Sequence, residues 1–379
     1  MSTHVILNTG AAMPLVGLGT WKSKPGAVAN AVECALRCGY RHIDAAAVYA
    51  NEAEVGAGIA AFLATSGDER PPVTRGDLFV TSKLWNSEHH PDDVEAACRK
   101  TLADLGLEYL DLFLVHWPCA FQRGQGHFPR SPGSGRVLYA ADVAPSETWA
   151  AMEALVAKGL VRAIGLSNFN AAQVDAVCAA ATTVQPAVLQ VECHPLLNQA
   201  PLIAHARKNG MAVMGYSPLG SGKAGLLAPE QGVAGRVVAR VAAAHPGKSA
   251  AQVLLRYQVQ RGVCVIPKSV TPARIAANRD VWDFALSAEE MAALDALDEG
   301  KRFVAIWSGE RVPQAPHPRF PFADAVVPTY GKQRGAQARD NAEVAALGAA
   351  QQARVEFLRT LSSQALSPSR SALGKRVRA

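Results

Sequence analysis

Four side chains that can hold or move a proton follow three successive apolar runs of the sequence. Asp44 and Tyr49 lie five residues apart in RHIDAAAVY (41–49), Lys83 ends the next run, and His116 ends the one after it. A lysine beside a tyrosine favours the phenolate and lowers a phenol pKa that is ordinarily about 10. An aspartate keeps that lysine charged, and a histidine can hydrogen-bond a carbonyl oxygen. The set suits protonation of an oxygen that gains charge as a hydride reaches the adjacent carbon.

Each of these residues also has an ordinary structural explanation. An aspartate after a strand commonly caps the next helix, and a lysine at a strand end commonly extends to solvent. A histidine after an apolar run is commonly a hydrogen-bonded core residue. The choice therefore depends on whether the fold brings the four side chains together.

Short β-branched runs alternate with amphipathic helical segments along the chain. The predicted strands are residues 16–20, 41–45, 78–83, 110–116, 161–167, 188–192, 212–217 and 263–267. Helical segments such as 91–106 and 249–262 begin with Pro or Ser and end at Gly, as helix ends usually do. Eight strands, each followed by a helix, predict a (β/α)8 TIM barrel. An open doubly wound sheet is the alternative, but VGLGTWK (16–22) lacks the third glycine of its G-x-G-x-x-G turn.

Several segments lie outside this alternation. Residues 4–16 predict an N-terminal β-hairpin around a turn rich in Asn and Gly, which could cover the bottom of the barrel. Residues 118–146 and 218–233 predict long loops after strand ends, at the C-terminal rim where such loops are usually functional. Residues 299–328 form a third irregular stretch, rich in Pro and aromatic residues.

The net charge of +6 comes from the C-terminal end of the chain. From Gly331 onward there are nine Lys/Arg and three Asp/Glu, which leaves 29 basic and 29 acidic residues in the rest. A body without net charge argues against nucleic-acid binding. We predict a barrel domain over residues 1–328 and a basic, disordered or loosely docked extension over residues 329–379.

Composition narrows the class of protein further. The hydrophobic fraction of 49% and the charged fraction of 18% are typical of a globular protein with a sizeable core. No apolar run approaches the roughly 20 residues that a membrane span needs, and the N-terminus shows no secretory signal pattern. Seven scattered cysteines without a C-x-x-C motif predict free thiols in a reducing compartment. We therefore expect a cytoplasmic protein without a membrane partner.

Further polar residues follow the other predicted strands. In a barrel all of these strand ends meet at one rim, where active sites are built. Their convergence favours chemistry over eight separate structural explanations. The additional residues are Ser167, Asn168, Gln190, Tyr216, Ser217, Lys268 and Ser269.

The stretch IPKSVTPARIAAN (266–278) predicts a phosphate site. Lys268 and Ser269 follow the last strand, Thr-Pro opens a helix, and Arg274 lies in the first turn of that helix. Helix N-termini bind anions, and the two cationic side chains add charge to the site. The sequence has no G-x-S-x-G elbow and no H-x-x-x-H or H-E-x-x-H ligand pair, so we expect neither a serine nucleophile nor a metal.

A set of motifs resembles one enzyme family over about residues 5–328, in order and at family spacing. The motifs are GYRHIDAAAVYANEAEVG, TSKLW, LVHWP, GLSNFN, QVECHPLLNQ, YSPLGS and IPKSVTPARIAAN. They closely resemble the aldo-keto reductases, and specifically the aldose/aldehyde reductase branch. The resemblance implies a (β/α)8 barrel, NADPH bound without a Rossmann motif, and reduction of aldehydes or ketones to alcohols.

The resemblance also implies roles for particular residues. Tyr49 would be the proton donor, Lys83 and Asp44 would tune it, and His116 would orient the substrate carbonyl. An apolar substrate pocket would be lined by His116 together with Trp21, Trp85 and Trp117. The cofactor would be contacted by Thr20, Asp44, Ser167, Asn168, Gln190, Tyr216, Ser217, Leu219, Ser221, Lys268, Ser269, Arg274 and Asn278.

One position departs from the family pattern. The family usually carries Glu before the residue equivalent to Asn278, and this chain has Ala277. A carboxylate contact to the adenine amino group would be lost, weakening cofactor binding by about 1 kcal/mol. Lys268 and Arg274 remain, so we expect the preference for NADPH to survive.

A second hypothesis belongs to a different class. Some relatives of this fold are channel subunits or lens proteins, so the chain could be a cofactor-binding regulatory or structural protein with negligible turnover. The presence of all four catalytic residue types favours the enzyme, and the basic C-terminal extension is the feature that suggests a partner. The resemblance implies a monomer, and the sequence does not identify the physiological substrate.

Overall fold

The computed structural model describes residues 2–65, 72–132, 137–140, 142–304, 319 and 321–322. The predicted extension over residues 329–379, the proposed domain boundary and most of the irregular stretch over 299–328 lie outside the described residues. They therefore stay predictions.

The described strands form a two-stranded hairpin and an eight-stranded parallel sheet. In the parallel sheet each strand pairs with the next along the chain, and pairing between Val16 and Val265 and between Gly19 and Lys268 joins the first strand to the last. The sheet is thereby closed, which confirms the predicted (β/α)8 barrel. The strands are β1 His4–Ile6, β2 Ala12–Pro14, β3 Leu18–Gly19, β4 His42–Asp44, β5 Phe79–Leu84, β6 Leu112–Val115, β7 Ile164–Ser167, β8 Val188–Glu192, β9 Ala212–Tyr216 and β10 Val263–Val265.

Helices follow each of the barrel strands β3 to β10. The helices are α1 Val28–Arg37, α2 Glu52–Thr65, α3 Pro91–Leu105, α4 Pro145–Ala157, α5 Ala171–Ala180, α6 Ala200–Lys208, α7 Val233–Ala243, α8 Ala250–Gln260, α9 Pro272–Arg279 and α10 Ala288–Asp295. The residues predicted to begin and end these helices do so. Gly106 ends α3 in the left-handed region at φ 64°, and Ser249 caps α8 by accepting a hydrogen bond from Gln252 N. Helices α7 and α10 exceed one helix per strand and were not predicted. They pack with α8 around a second apolar cluster that includes Val238, Leu254 and Leu294.

The predicted hairpin is confirmed, and it closes the N-terminal end of the barrel. Strands β1 and β2 pair antiparallel. Asn8 Nδ2 donates to Pro186 O at 3.0 Å, just before β8 begins, and Pro14 O lies 3.2 Å from His42 Nδ1 at the start of β4. The long loops after β6 and β9 lie at the opposite, C-terminal end of the barrel.

Helix α2 lies close to its neighbours because two of its residues have no side chain. A Cβ on Gly56 would lie 2.4 Å from Leu105 O, and a Cβ on Gly58 would lie 2.4 Å from Ala29 O. Only glycine permits this approach. The close packing fixes the N-terminus of α2, which carries Glu52, against the carboxyl end of the barrel.

The loops after β6 and β9 are long, as predicted, but the described part of the first contains strand-like pairing that was not expected. The segment after β6 folds back on itself, with antiparallel pairing of Phe121 with Tyr139 and of Arg130 with Val137. Its aromatic residues pack against Trp85, which gives this loop a small apolar core of its own. The loop after β9 contains two 3-10 turns before α7 begins. In the described part of the chain no helix combines the length and apolar character that crossing a membrane requires.

Candidate active site

A buried lysine joins two of the predicted residues at the carboxyl end of the barrel. Strand β4 ends at Asp44, which is in register with Thr81 of β5, and Lys83 follows two residues later on the same face of β5. Lys83 Nζ donates to Asp44 Oδ2 at 2.8 Å, to Ala45 O at 2.8 Å and to Tyr49 OH at 3.3 Å. All three N–H groups of the ammonium are thus used. Because the Tyr49 oxygen accepts from Lys83, its own hydrogen is free to be donated elsewhere.

The environment of Tyr49 raises the pKa of its phenol well above the usual value of 10. Burial is the main cause, and the negative charges of Asp44 and Glu52 add to it. The net change is therefore upward, and the predicted decrease is wrong for this structure. Burial likewise lowers the pKa of Lys83, against the opposing effect of the Asp44 carboxylate. The result is a phenol that stays protonated until an acceptor is presented to it.

His116 lies beside Tyr49 at the end of β6. The two rings are 5.8 Å apart at 76°, and the Trp85 ring packs on the other side of the histidine at 5.1 Å. Burial, reinforced by the positive charge of Lys83, holds the pKa of His116 well below 6.5. His116 is thus a neutral imidazole, which can donate one ring N–H to a carbonyl oxygen.

Asn168 organises the next part of the rim. Its backbone is in the left-handed region at φ 63°, which turns the side chain back over β7. Asn168 Nδ2 donates to His116 O at 2.9 Å and to Ser167 Oγ at 3.1 Å, and Asn168 Oδ1 accepts from Tyr216 OH at 2.8 Å. The predicted residues Ser167, Asn168 and Tyr216 are therefore brought together. The hydrogen bond to Asn168 fixes the position of the Tyr216 phenol.

Two more predicted residues hold Asp44. Gln190 Nε2 donates to Asp44 Oδ1 at 2.8 Å, and Thr20 Oγ1 donates to the Asp44 backbone carbonyl at 2.9 Å. Asn51, which sequence reasoning missed, donates in turn to Thr20 O at 3.1 Å. Both carboxylate oxygens of Asp44 are consequently satisfied, one by Gln190 and one by Lys83.

The loop after β9 brings the predicted Ser217, Leu219 and Ser221 to the rim. Ser217 and Ser221 both adopt positive φ, and their hydroxyl oxygens lie 3.3 Å apart. Partial burial, and after it the positive charge of Lys223, lowers the pKa of Lys22. Lys223 was not predicted, and its charge adds to the positive potential near Lys22, which favours an anion.

The predicted phosphate site lies at the end of β10 and the start of α9. Lys268 and Arg274 are exposed, whereas Ser269 is buried and accepts a hydrogen bond from Thr271 N at 3.1 Å. Helix α9 begins at Pro272, and no side chain caps its first turn. Lys268 Nζ donates to Lys22 O at 3.2 Å, which links this site to the loop after β3. Such a set of cationic groups at a free helix N-terminus fits the phosphates of a dinucleotide.

The adenine end of the predicted cofactor site lies on the same helix. Asn278 is buried one turn after Arg274, and Ala277 beside it is half-buried. The structure does not bring these residues into contact with Tyr49 or His116; a bound dinucleotide would have to span the distance between them.

Two of the three predicted tryptophans lie beside Tyr49 and His116, and the third packs in the same apolar cluster as one of them. The Trp21 ring is 6.4 Å from Tyr49, and Trp85 donates from Nε1 to His127 O at 2.6 Å. Trp117 packs on Phe322 at 6.0 Å and belongs to the same apolar cluster as Trp85. Part of this wall comes from the long loop after β6, which no periodicity in the sequence indicates.

Sequence reasoning missed two buried carboxylates near the site. Glu52 accepts from Ser82 Oγ at 2.5 Å and from Thr101 Oγ1 at 3.0 Å. Glu192, at the end of β8, accepts from the backbone N–H groups of Phe303 and Val304 at 3.0 Å each, and so anchors the C-terminal segment to the rim. Both residues read as ordinary acidic positions at a helix start and a strand end, so only their burial reveals them. Among the residues described, no group of His, Cys, Asp or Glu has the arrangement of a metal site.

A closed parallel barrel with a charged, buried cluster at its carboxyl rim defines a TIM-barrel enzyme. Comparison with known proteins identifies the family: the model of the Aldo/keto reductase family matches residues 15–299. The chain is also 54% identical over 326 residues to "Aldo-keto reductase family 1 member A1" of Bos taurus, covering 84% of this chain and 98% of that protein. The chain belongs to the aldo/keto reductase family.

Two other relatives agree with this assignment. The Homo sapiens protein of the same name is 53% identical over 327 residues, covering 84% of this chain and 98% of that protein. The structure of the aldose reductase from Schistosoma japonicum superposes with a TM-score of 0.77 at 40% identity, covering 86% of this chain and 99% of that one. Members of this family act on small carbonyl compounds with a nicotinamide cofactor, and none of these relatives favours the regulatory or structural hypothesis.

Proposed function

We propose that this chain reduces aldehydes and ketones to alcohols with NADPH, and that Tyr49 is the proton donor. The observation that carries the proposal is the position of the Tyr49 hydroxyl. It lies 3.3 Å from an ammonium group that is paired with Asp44, and its ring packs beside a neutral His116. Tyr49 is thus an acid next to a cation that can stabilise its phenolate, and His116 beside it can orient a carbonyl oxygen.

Each of these groups has a defined task. NADPH, when bound, supplies the hydride. His116 donates a ring N–H to the substrate oxygen and orients the carbonyl. Tyr49 transfers its proton to that oxygen, and the Lys83 ammonium stabilises the phenolate that remains. The raised pKa of Tyr49 suits this role, because the phenol does not lose its proton before the substrate oxygen develops charge.

The preference for NADPH over NADH rests on the cationic residues at the end of β10. Lys268, Ser269 and Arg274 would hold the 2′-phosphate at the N-terminus of α9, and Asn278 would contact adenine. Lys22 and Lys223 would add positive charge for the diphosphate. Several cationic groups at one place support the binding of a phosphorylated dinucleotide, whereas an isolated surface lysine would not.

The nicotinamide would lie over the centre of the rim. Ser167, Asn168 and Gln190 would hold its carboxamide, and the ring of Tyr216 would stack on it. Thr20, Asp44 and the segment of Ser217, Leu219 and Ser221 would contact the middle of the cofactor. The hydrogen bond from Tyr216 to Asn168 supports this arrangement, because it fixes the ring before a ligand arrives.

The substrate pocket would be lined by Trp21, Trp85 and Trp117 above His116. An aromatic wall with one oxygen-directing pair binds through apolar contact and accepts a range of carbonyl compounds. The ordered loop after β6 supplies part of that wall, so we propose that this loop sets the choice among aldehydes.

Location and assembly are also proposals. All seven cysteines are free thiols, which supports a reducing compartment such as the cytoplasm. The large apolar side chains that are exposed in the described residues lie on separate segments, which supports a monomer. They are Ile6, Phe128, Leu227, Val233 and Val270. Light scattering of the purified full chain would test the oligomeric state.

The function is tested by NADPH oxidation with a panel of aldehydes and ketones. Tyr49→Phe removes the proton donor while keeping the ring, and should lower kcat by roughly 100-fold or more. Tyr109→Phe, at the N-terminal end of the barrel, is the matched control and should leave turnover unchanged. The proposal fails if the wild-type chain oxidises NADPH no faster than Tyr49→Phe with every carbonyl compound tested.

A further inference from the structure

A cavity of about 70 Å³ lies between Lys83 and helices α2 and α3. Its lining includes Lys83, Glu52, Thr101, His127 and Trp85, and neither Tyr49 nor His116 contributes to it. A water molecule needs roughly 10–15 Å³ on this measure, so the cavity has room for several.

The cavity reaches the protein surface beside α3. Two of its lining residues, Lys100 and Asp104, form an ion pair on that helix, with 74% and 36% of their side chains exposed. Solvent therefore has a route to the buried end of the cavity from beside α3.

Glu52 lies at the buried end of this route. It is 4% exposed, and both of its oxygens are held, one by Ser82 and one by Thr101. No basic side chain in the described structure lies within ion-pair distance of it. Burial raises the pKa of Glu52 to about 7 and outweighs the lowering effect of the Ser82 and Thr101 hydrogen bonds; the Asp104 charge raises it and the Lys83 charge lowers it by smaller amounts. A carboxyl group in this setting can both carry and release a proton near neutral pH.

The other titratable groups around the cavity are differently placed. Glu88 follows β5 and is held by Ser87 Oγ at 2.8 Å, and His127 comes from the loop after β6. Burial and the Lys100 charge lower the pKa of His127, so its ring is uncharged at neutral pH. Glu52 is the carboxylate on this cavity that interacts electrostatically with both Lys83 and Tyr49.

The proposed reaction leaves a problem that this cavity can solve. Once Tyr49 has given up its proton, a phenolate remains beneath the product and the cofactor. Lys83 is the proton-bearing group within hydrogen-bond distance of that oxygen. If Lys83 passes a proton to the phenolate, its neutral amine must be protonated again from the side away from the substrate.

We propose that Glu52 and water in this cavity return a proton to Tyr49 through Lys83 after each turnover. In the first step a Lys83 N–H bond breaks and the Tyr49 O–H bond forms. The Lys83 amine then turns about its Cε–Nζ bond and takes a proton from a cavity water, which takes one from the Glu52 carboxyl, and solvent at the α3 opening protonates Glu52 again. One proton moves from solvent to Tyr49, and no group is oxidised or reduced. The inference rests on the proposed function.

The test separates the first turnover from those that follow. Enzyme saturated with NADPH already holds a protonated Tyr49, so Glu52→Gln should oxidise the first equivalent of NADPH at the wild-type rate. Its steady-state kcat should fall by roughly tenfold or more, with an increased solvent deuterium isotope effect on kcat alone. Imidazole buffer, as an external proton donor, should partly restore kcat.

Two further variants keep the test decisive. Glu88→Gln changes a carboxyl on the same cavity and should behave as wild type. Ala97→Leu fills the cavity while leaving every carboxyl in place, and should show the same contrast between first and later turnovers as Glu52→Gln. If Glu52→Gln does not fold, Ala97→Leu carries the test. Infrared titration of the free protein should show a carboxyl band that disappears near neutral pH and is absent in Glu52→Gln.

Three outcomes would overturn the inference. They are an unchanged kcat in both Glu52→Gln and Ala97→Leu, an equal slowing of the first and later turnovers, and a loss in Glu88→Gln in place of Glu52→Gln. If wild-type enzyme shows no first turnover at all, the proposed function fails instead, so the two failures are distinguishable.

Discussion

Gln190 Nε2 lies 2.8 Å from Asp44 Oδ1, although 146 residues separate the two along the chain. This bond completes the hydrogen bonding of the Asp44 carboxylate, whose other oxygen accepts from Lys83. The amide of Gln190 therefore has a positioning role in the free protein, in addition to its proposed contact with the nicotinamide. It connects the middle of β8 to the proposed proton donor, Tyr49, through Asp44 and Lys83.

Replacing Gln190 by leucine should leave Asp44 Oδ1 buried without a partner. Because a hydrogen bond to a charged group contributes about 1.5–3 kcal/mol, we expect the free energy of unfolding to fall by about that amount and kcat by roughly tenfold. Urea unfolding and steady-state kinetics measure the two effects. Gln185→Leu, which removes an exposed amide, is the control. An equal loss of stability and kcat in that variant would show that the effect does not come from the bond between Gln190 and Asp44.

Arg274→Met should weaken NADPH binding by roughly 10- to 100-fold and NADH binding little, because only NADPH carries the 2′-phosphate. Fluorescence titration with each dinucleotide measures the two dissociation constants. Arg279→Met, at the other end of α9, is the matched control. An equal effect of Arg274→Met on both cofactors would remove Arg274 from the proposed phosphate site.

Ala277→Glu should restore the carboxylate that the family usually carries beside Asn278. One added hydrogen bond of about 1 kcal/mol corresponds to roughly fivefold tighter binding. The gain should be the same for NADPH and NADH, since both contain adenine. Ala276→Glu places the same charge on an exposed neighbour and should bring no gain. Weaker binding in Ala277→Glu would contradict the proposed position of the adenine.

His42 should make the protein less stable in acid. It is fully buried, with Nδ1 3.2 Å from Pro14 O and Nε2 3.1 Å from Thr81 Oγ1. Burial lowers its pKa from 6.5 to about 4. Below pH 6.5 the unfolded chain takes up a proton that the folded chain refuses, so the free energy of unfolding falls as the pH drops from 6.5 towards 4. The loss from this residue reaches about 3 kcal/mol.

The measurement for His42 is urea unfolding at several pH values. His42→Gln should flatten the decline between pH 6.5 and 4, because glutamine can bond to the same two oxygens without titrating. His4→Gln, on the exposed hairpin, is the control. A decline of unchanged steepness in His42→Gln would assign acid sensitivity to other groups.

The barrel could be predicted from the sequence because its signals are local. Each strand is a short β-branched run, and helices such as α3 and α8 carry their own start and stop residues. Where the structure differs, tertiary packing is the reason. Helices α7 and α10 stabilise one another with α8 across a long stretch of chain, and the loop after β6 gains order from its contact with Trp85. Neither effect has a local sequence signature.

The sequence by itself determined the barrel, the hairpin beneath it, and the candidate residues Asp44, Tyr49, Lys83 and His116 at successive strand ends. It could do so because periodicity and strand order place those residues on one rim. Only the tertiary structure decided their electrostatics. Burial raises the pKa of Tyr49 where the sequence predicts a decrease, and burial turns Glu52 from an ordinary first-turn carboxylate into a group that titrates near neutrality. Desolvation depends on what surrounds a side chain in space, and neighbours in sequence do not specify it.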